Sequence, residues 1–160
     1  SLGLVGSEMC IRDRINGIQN ISLKGRLEEI KSGKLKMIAG NNRLVIDGGH
    51  NISASLSIAN WIKNQNQEVN LIVGMMKDKE HIEFIKSFRN IVNSITLIDI
   101  PNQDGAISKE DLESKLNDLN LNIKRSQSIE SAIKSLSKNE NTIIVCIGSL
   151  YLAGEILKLN

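Results

Sequence analysis

The segment TIIVCI, residues 142–147, is the most apolar stretch of the chain and ends at Gly148-Ser149. A strand with one face in water alternates apolar and polar residues, whereas this segment is apolar on both faces. Such a continuous run is typical of a central strand in a parallel sheet that helices cover on both sides. It predicts an α/β fold.

The rest of the chain alternates strands with helices. Further strands are predicted at residues 43–47, 69–73, 94–100 and 122–124, and amphipathic helices separate them. This order predicts a three-layer, Rossmann-like and mainly parallel sheet of about six strands, with helices on both faces. Right-handed crossovers then bring the carboxyl ends of the parallel strands to one edge, where open α/β sheets bind their ligands.

An antiparallel strand is predicted at the edge of this sheet. Residues 35–39 form a short extended run, and the turn signal Gly40-Asn41-Asn42 separates them from the strand at residues 43–47. Two such runs around a short turn favour a β-hairpin.

Composition excludes several classes of function. The chain has 160 residues, a net charge of +2 and scattered basic residues, so neither nucleic acid nor a membrane surface is an expected partner. No apolar run reaches the roughly 20 residues of a membrane span. Cys10 and Cys146 form neither a disulfide framework nor a zinc spacing, and Cys146 is predicted to be a buried free thiol. We expect a cytoplasmic domain.

Residues 1–14 (SLGLVGSEMCIRDR) lack any sustained strand or helix period. They resemble a translated sequencing adapter, and we predict that they are non-native. We therefore expect the native protein to continue upstream of this segment.

The motif Asp47-Gly48-Gly49-His50-Asn51 follows a predicted strand and precedes a predicted helix. Two glycines allow a sharp turn close to a ligand, and their N–H groups would favour an anion. Asp47 can accept from ribose hydroxyls or assist a cation, and His50 can donate to a phosphate or carboxylate. The alternative is a tight turn in which Asn51 or Ser53 caps the helix.

Two further loops at the same predicted edge carry polar residues. In the loop at residues 74–79 (GMMKDK), Lys77 can meet an anionic substrate, or Asp78 can cap a helix beside solvated lysines. Ser149 can contact a ligand or cap the last helix. His81 is predicted to be a plain surface residue. The chain has no Walker A motif and no G-x-S-x-G, and two histidines exclude a multi-histidine metal site.

Four motifs in order resemble a known family. They are residues 25–28 (GRLE), 47–51 (DGGHN), 74–79 (GMMKDK) and 148–155 (GSLYLAGE). Together they resemble the C-terminal domain of folylpolyglutamate synthase, or of the bifunctional dihydrofolate synthase, in the Mur ligase superfamily. The resemblance extends over roughly residues 16–158.

The resemblance implies an ATP-dependent ligase. ATP phosphorylates a folate or dihydropteroate carboxylate, the amine of L-glutamate attacks the acyl phosphate, and ADP and phosphate leave. The P-loop and the Mg²⁺ ligands belong to an N-terminal domain that is absent here, so this chain is expected to be inactive alone. Residues 15–34 are then an interdomain linker and residues 35–160 the C-terminal ligase domain.

The resemblance also implies roles for individual residues. Arg26 reaches the phosphates of ATP, and Asp47 contacts the nucleotide as a catalytic residue. His50 is implied to be catalytic and, with Ser149, to lie toward the glutamate and phosphate region. Lys77 is implied to bind substrate.

The sequence departs from the family pattern in places that leave these residues intact. Gly49 stands where Ala is common, Ile52 where Pro is common, and Leu23-Lys24 where Trp-Pro is usual. The preference between dihydropteroate and folate polyglutamates stays open. The alternative function is a stand-alone, non-catalytic α/β module that binds a small molecule.

Overall fold

The computed structural model describes residues 25–160. The adapter-like segment predicted at residues 1–14, and residues 15–24 of the predicted linker, lie outside the described residues. The strands are β1 (Glu28–Ile30), β2 (Arg43–Ile46), β3 (Val69–Val73), β4 (Ser94–Leu97), β5 (Ile123–Arg125) and β6 (Ile143–Ile147). The helices are α1 (Lys34–Ala39), α2 (Ile52–Lys63), α3 (His81–Lys86), α4 (Lys109–Leu116), α5 (Ile129–Leu136) and α6 (Leu150–Leu159), with a 3-10 turn at Asn117–Leu119.

The described residues form a six-stranded sheet in the order β1-β2-β6-β3-β4-β5. Strands β2, β6, β3, β4 and β5 pair in parallel, and β1 pairs antiparallel with β2. The apolar segment that led to the fold prediction is β6, which lies between β2 and β3 with Val145 aligned to both Val45 and Leu71. The mainly parallel α/β fold is confirmed.

Alternate residues of the strands pack on opposite faces of the sheet. Val145 and Leu71 pack on one face with the apolar sides of α2, α3 and α4. Ile144 and Ile72 pack on the other face with α1, α5 and α6. Cys146 is a buried free thiol on this second face, as predicted, and burial raises its pKa to about 12. Two aliphatic layers therefore enclose the sheet, because its central strands are apolar on both sides.

The hairpin predicted from residues 35–39 is wrong, because this segment is helix α1. Leu35 and Ala39 are one helical turn apart and both are buried against the sheet. The helix start is capped from the other end of the chain: the Asn160 side-chain oxygen accepts from the Leu35 and Lys36 N–H groups at 3.0 and 3.3 Å. The antiparallel edge strand is β1, inside the predicted linker, where Glu29 pairs with Val45.

The loops predicted to converge do lie at one edge of the sheet, because β2, β6, β3 and β4 are parallel neighbours. Hydrogen bonds join them. The Gly148 N–H donates to the Gly49 carbonyl at 3.1 Å, which connects the loops after β6 and β2. Met76 and Ala106 form an antiparallel bridge, which connects the loops after β3 and β4. We call this side of the sheet the functional edge.

Candidate functional site

A cleft of about 390 Å³ opens at the functional edge. Residues 25–27 form one wall, the turn at residues 47–51 forms the floor, and the first turns of α2 together with Leu150 complete it. The cleft therefore lies where β2 ends and where α2 and α6 begin. This is the position at which open parallel sheets bind small molecules.

Asp47 connects the turn to the segment that precedes the sheet. One carboxylate oxygen accepts from the Leu27 N–H at 2.9 Å, and the other accepts from the Gly49 N–H at 2.7 Å. The residue is 8% exposed. Asp47 thus fixes the backbone on both sides of the cleft, and it holds Arg26 there through the adjoining peptide.

The two glycines of the turn lie in tight surroundings. A Cβ on Gly48 would lie 2.3 Å from the Leu150 Cδ2 atom, and one on Gly49 would lie 2.7 Å from the Ala54 Cβ atom. Their N–H groups do not point to a ligand as the sequence suggested, because Gly48 donates to the Gly25 carbonyl and Gly49 to Asp47. The glycines shape the cleft instead of binding an anion.

His50 and Asn51 follow the glycines. The His50 Nδ1 atom lies 3.1 Å from the Gly48 carbonyl oxygen, which can only accept, so Nδ1 carries the proton. The Nε2 atom is then an acceptor in the neutral ring and a donor in the imidazolium. The Asn51 side-chain oxygen accepts from the Ala54 N–H at 2.9 Å and caps α2, as one sequence interpretation predicted.

Arg26 lies on the rim of the cleft and its side chain is exposed. Arg26 and His50 are the basic residues among the described residues that line the cleft. A planar guanidinium with five N–H donors is suited to two oxygens of a phosphate or carboxylate. The cleft can therefore receive an anionic group at its rim.

Ser149 and Lys77 lie at the functional edge but do not line this cleft. Ser149 is 2% exposed, and its hydroxyl oxygen accepts from the Tyr151 N–H at 3.1 Å, which caps α6. Lys77 is exposed, and its ammonium donates to the Asp104 carbonyl at 3.0 Å. Of the predicted site residues, the structure thus brings Arg26, Asp47 and His50 together in the cleft.

The sequence interpretation overlooked two residues at this edge. His81 was predicted to lie on the surface, but it is 4% exposed, and its Nε2 atom lies 2.9 Å from the Met76 carbonyl oxygen. The signal was present, because position 81 continues the apolar helix face of Phe84, Ile85 and Phe88. Leu150 is 62% exposed and forms an apolar wall of the cleft.

The loop at residues 74–79 carries an ion pair of its own. The Lys79 ammonium donates to the Asp78 carboxylate at 2.8 Å, and this hydrogen bond lowers the pKa of Asp78. Residues 74–79 do not line the cleft.

Residues 25–160 contain no group of three His, Cys, Asp or Glu side chains arranged to hold a metal ion. Within that same range, no helix is both long and apolar enough to cross a membrane.

The fold and the cleft define a class: an α/β domain with a small-molecule site at the carboxyl edge of a parallel sheet. Residues 31–159 match the family model described as dihydrofolate synthetase, C-terminal domain, and the chain belongs to this family.

Known proteins share this sequence pattern and fold. A "probable dihydrofolate synthetase" of Schizosaccharomyces pombe is 22% identical, over 89% of this chain and 36% of that protein. The folylpolyglutamate synthase of Mycobacterium tuberculosis, solved with ADP and AMPPCP, has a TM-score of 0.72 at 18% identity, over 89% of this chain and 33% of that one. A bifunctional folylpolyglutamate synthase/dihydrofolate synthase of Yersinia pestis was solved with AMPPNP and a Mn ion. It has a TM-score of 0.72 at 19% identity, over 89% of this chain and 32% of that one. The chain thus spans about a third of their lengths.

Proposed function

We propose that this chain is the C-terminal domain of an ATP-dependent ligase that acts in the cytoplasm. The ligase would join the amine of L-glutamate to a folate or dihydropteroate carboxylate through an acyl phosphate. The observation that supports this most directly is that Arg26, Asp47 and His50 share one cleft at the functional edge of a chain of this family.

The residues of the cleft fit ATP. The rim of the cleft carries the exposed guanidinium of Arg26, and its floor carries the imidazole of His50. Leu27 and Leu150 provide apolar surface. The related structures named above were solved with ADP or ATP analogues. ATP would supply the phosphoryl group that activates the substrate carboxylate. Arg26 would hold its phosphate oxygens, whose negative charge a positioned guanidinium stabilises.

Asp47 has a positioning role in this proposal. Its oxygens accept from the Leu27 and Gly49 N–H groups, so it holds the peptide next to Arg26 against the turn. A carboxylate oxygen has two lone pairs, and each oxygen of Asp47 retains one for a ribose hydroxyl. Asp47 would therefore contact the nucleotide and fix Arg26 at the same time.

His50, Ser149 and Lys77 are proposed to meet the other substrate. Protonated His50 can donate from Nε2 to a phosphate or carboxylate oxygen, since its Nδ1 proton is held by Gly48. The Ser149 hydroxyl accepts from the Tyr151 N–H and keeps its own proton to donate. Lys77 offers an ammonium at the exposed part of the same edge.

Mg²⁺ is proposed to accompany ATP, with its ligands in an N-terminal P-loop domain of the same polypeptide. The described residues do not fit a metal site of their own. We therefore derive no step of the reaction through a metal held by this chain.

The proposal is tested by Arg26→Ala in the longer polypeptide that contains this chain. Removing one positioned donor from a developing charge costs about 100-fold in rate, so kcat/KM for ATP should fall about 100-fold at an unchanged melting temperature. The measurement is folate- and glutamate-dependent ADP release.

Arg89→Ala is the matched control, because Arg89 is also exposed but lies outside the cleft. It should retain parental kinetics. Parental kinetics in Arg26→Ala, or a loss of activity that only follows unfolding, would contradict the role of Arg26. A parental protein that binds ATP without any ligation would favour the non-catalytic binding module.

A further inference from the structure

His81 is a buried histidine that the proposed reaction does not yet use. Its side chain lies at the first residue of α3, and its Nε2 atom is 2.9 Å from the Met76 carbonyl oxygen. A carbonyl oxygen only accepts, so Nε2 carries the proton in either charge state of the ring. His81 is therefore a constant donor to the loop that follows β3.

This hydrogen bond closes a short turn at residues 76–79. The Lys79 N–H donates to the same Met76 carbonyl at 3.4 Å, and the His81 N–H donates to the Lys79 carbonyl at 3.0 Å. Glu80, the residue before α3, makes no side-chain hydrogen bond to the helix start. Of the described side chains, His81 is thus the one that ties the start of α3 to the turn.

The far side of the turn is held as well. The Lys77 N–H donates to the Gly105 carbonyl at 2.8 Å, and the Ile107 N–H donates to the Met75 carbonyl at 3.0 Å. Residues 75–77 are therefore fixed on one side by the loop after β4 and on the other by His81. A turn held from two sides is preorganised for binding.

The turn presents two opposite charges at the functional edge. Lys77 and Asp78 are adjacent and exposed; the Lys77 ammonium donates to the Asp104 carbonyl at 3.0 Å, and the Asp78 carboxylate accepts from Lys79 at 2.8 Å. An ammonium next to a carboxylate is complementary to an amino acid, which carries both groups. Gly148 connects this loop to the cleft, because its N–H donates to the Gly49 carbonyl and a Cβ on it would lie 2.7 Å from the Gly74 carbonyl oxygen.

We propose that His81 is a positioning residue: by donating to the Met76 carbonyl it holds Lys77 and Asp78 at the functional edge, ready for the amino-acid substrate. This inference rests on the ligase function proposed above. The competing interpretation is that His81 only fills the apolar face of α3, where it packs in line with Phe84 and Phe88.

Two substitutions in the longer polypeptide separate these interpretations. His81→Leu fills the buried position with an apolar side chain and removes the donor, whereas His81→Gln places an amide N–H near the former Nε2 atom. We expect His81→Leu to raise KM for glutamate about tenfold with little change in kcat, because a misplaced binding group weakens substrate affinity more than chemistry. His81→Gln should restore KM to within about threefold of the parental value.

Phe84→Leu is the control for packing. Phe84 is fully buried on the same helix face, and its apolar side chain cannot donate a hydrogen bond to the Met76 carbonyl. It should lower the melting temperature and leave KM for glutamate at the parental value. Equal effects of His81→Leu, His81→Gln and Phe84→Leu would overturn the inference in favour of packing alone.

Amide hydrogen exchange provides a second measurement that needs no activity. In His81→Leu the Lys77 and Lys79 N–H groups should exchange faster than in the parental protein, while in His81→Gln they should not. Parental exchange in His81→Leu would overturn the inference. If the parental protein shows no ligation, the proposed function fails, and exchange still decides whether His81 holds the turn.

Discussion

Gly148 is a residue at which two loops of the functional edge approach closely through their backbones. Its φ is +109°, and a Cβ there would lie 2.7 Å from the Gly74 carbonyl oxygen and 2.8 Å from the Met75 Cγ atom. Its N–H donates to the Gly49 carbonyl. Any larger residue would have to move two loops at once, because the nearest obstacle is backbone.

We therefore predict that Gly148→Ala lowers the free energy of unfolding by about 3 kcal/mol, from the unfavourable φ and the backbone clash together. The measurement is urea denaturation. Gly154→Ala is the matched control, since Gly154 lies within α6 and a Cβ there has nothing within 4 Å. That control should gain about 0.5–1 kcal/mol. Shifts of the same sign in both variants would contradict the argument.

The site residues differ in how far the sequence could predict them. The order of the motifs along strand ends predicts that Asp47 and His50 lie at one edge, and Arg26 joins them in the cleft. The hydrogen bond from Leu27 to Asp47 was not predictable, because Leu27 lies 20 residues earlier in a segment without strong periodicity.

An ion pair between Asp99 and Lys109 connects the end of β4 to the start of α4. The Asp99 carboxylate accepts from the Lys109 backbone N–H at 2.9 Å and also from the Lys109 ammonium. Burial raises the pKa of Asp99, but the hydrogen bonds from Lys109 outweigh it and the net pKa is lowered. The hydrogen bond to Asp99 raises the pKa of Lys109, whose side chain is 10% exposed.

Asp99→Asn should therefore destabilise the protein in a pH-dependent way. A carboxyl whose folded pKa lies below its unfolded value stabilises the fold above the unfolded pKa, and that stabilisation is lost as the pH falls through the folded pKa. The Asp99 side chain is 48% exposed, so about 1 kcal/mol is expected at neutral pH. The difference in melting temperature from the parental protein should be present at neutral pH and shrink in acid.

Asp104→Asn is the control for this prediction, because Asp104 is exposed in the same loop and no described residue donates to its carboxylate. It should leave the melting temperature unchanged across the range. A difference for Asp99→Asn that persists undiminished in acid would show that the Asp99 charge is not its source.

Some helices carry their caps within their own local sequence. Ser108 caps α4 by accepting from the Asp111 N–H, and Ser128 caps α5 within three residues. Helix α1 is different, because its cap is Asn160, which is 125 residues from Leu35. Its six residues are too few for a clear helical period. A short segment whose stability comes from a distant residue is thus assigned to the wrong structure from sequence alone.

At the scale of the whole molecule, the sheet was predictable because its central strands are apolar on both faces. Strands β3 and β6 are buried along their entire lengths, which requires helices on both sides. The sequence predicted that the sheet has an antiparallel edge strand, but it assigned that strand to the wrong residues. Strand β1 has only three residues, two of them glutamates, so its sequence does not indicate a strand. It is extended because it pairs with β2.

The described residues supply only part of what a phosphoryl transfer requires. Phosphoryl transfer requires phosphates and a metal ion held in fixed positions. The cleft offers Arg26 and His50 for anions, while residues 25–160 contain no cluster that could hold a metal ion. The related proteins are about three times as long, with this chain covering 33% and 32% of two of them.

We therefore expect the purified 160-residue chain to release no ADP in response to a reduced folate and glutamate. The longer polypeptide assayed in parallel should release ADP, and only when both substrates are present. A cooperative thermal transition of the short chain is the control that it is folded. In the proposed function, Arg26 and His50 would stabilise charge on a phosphoryl group that another domain would hold in place. Folate-dependent ADP release by the short chain, at a rate typical of enzymes, would show instead that its own cleft positions the phosphates.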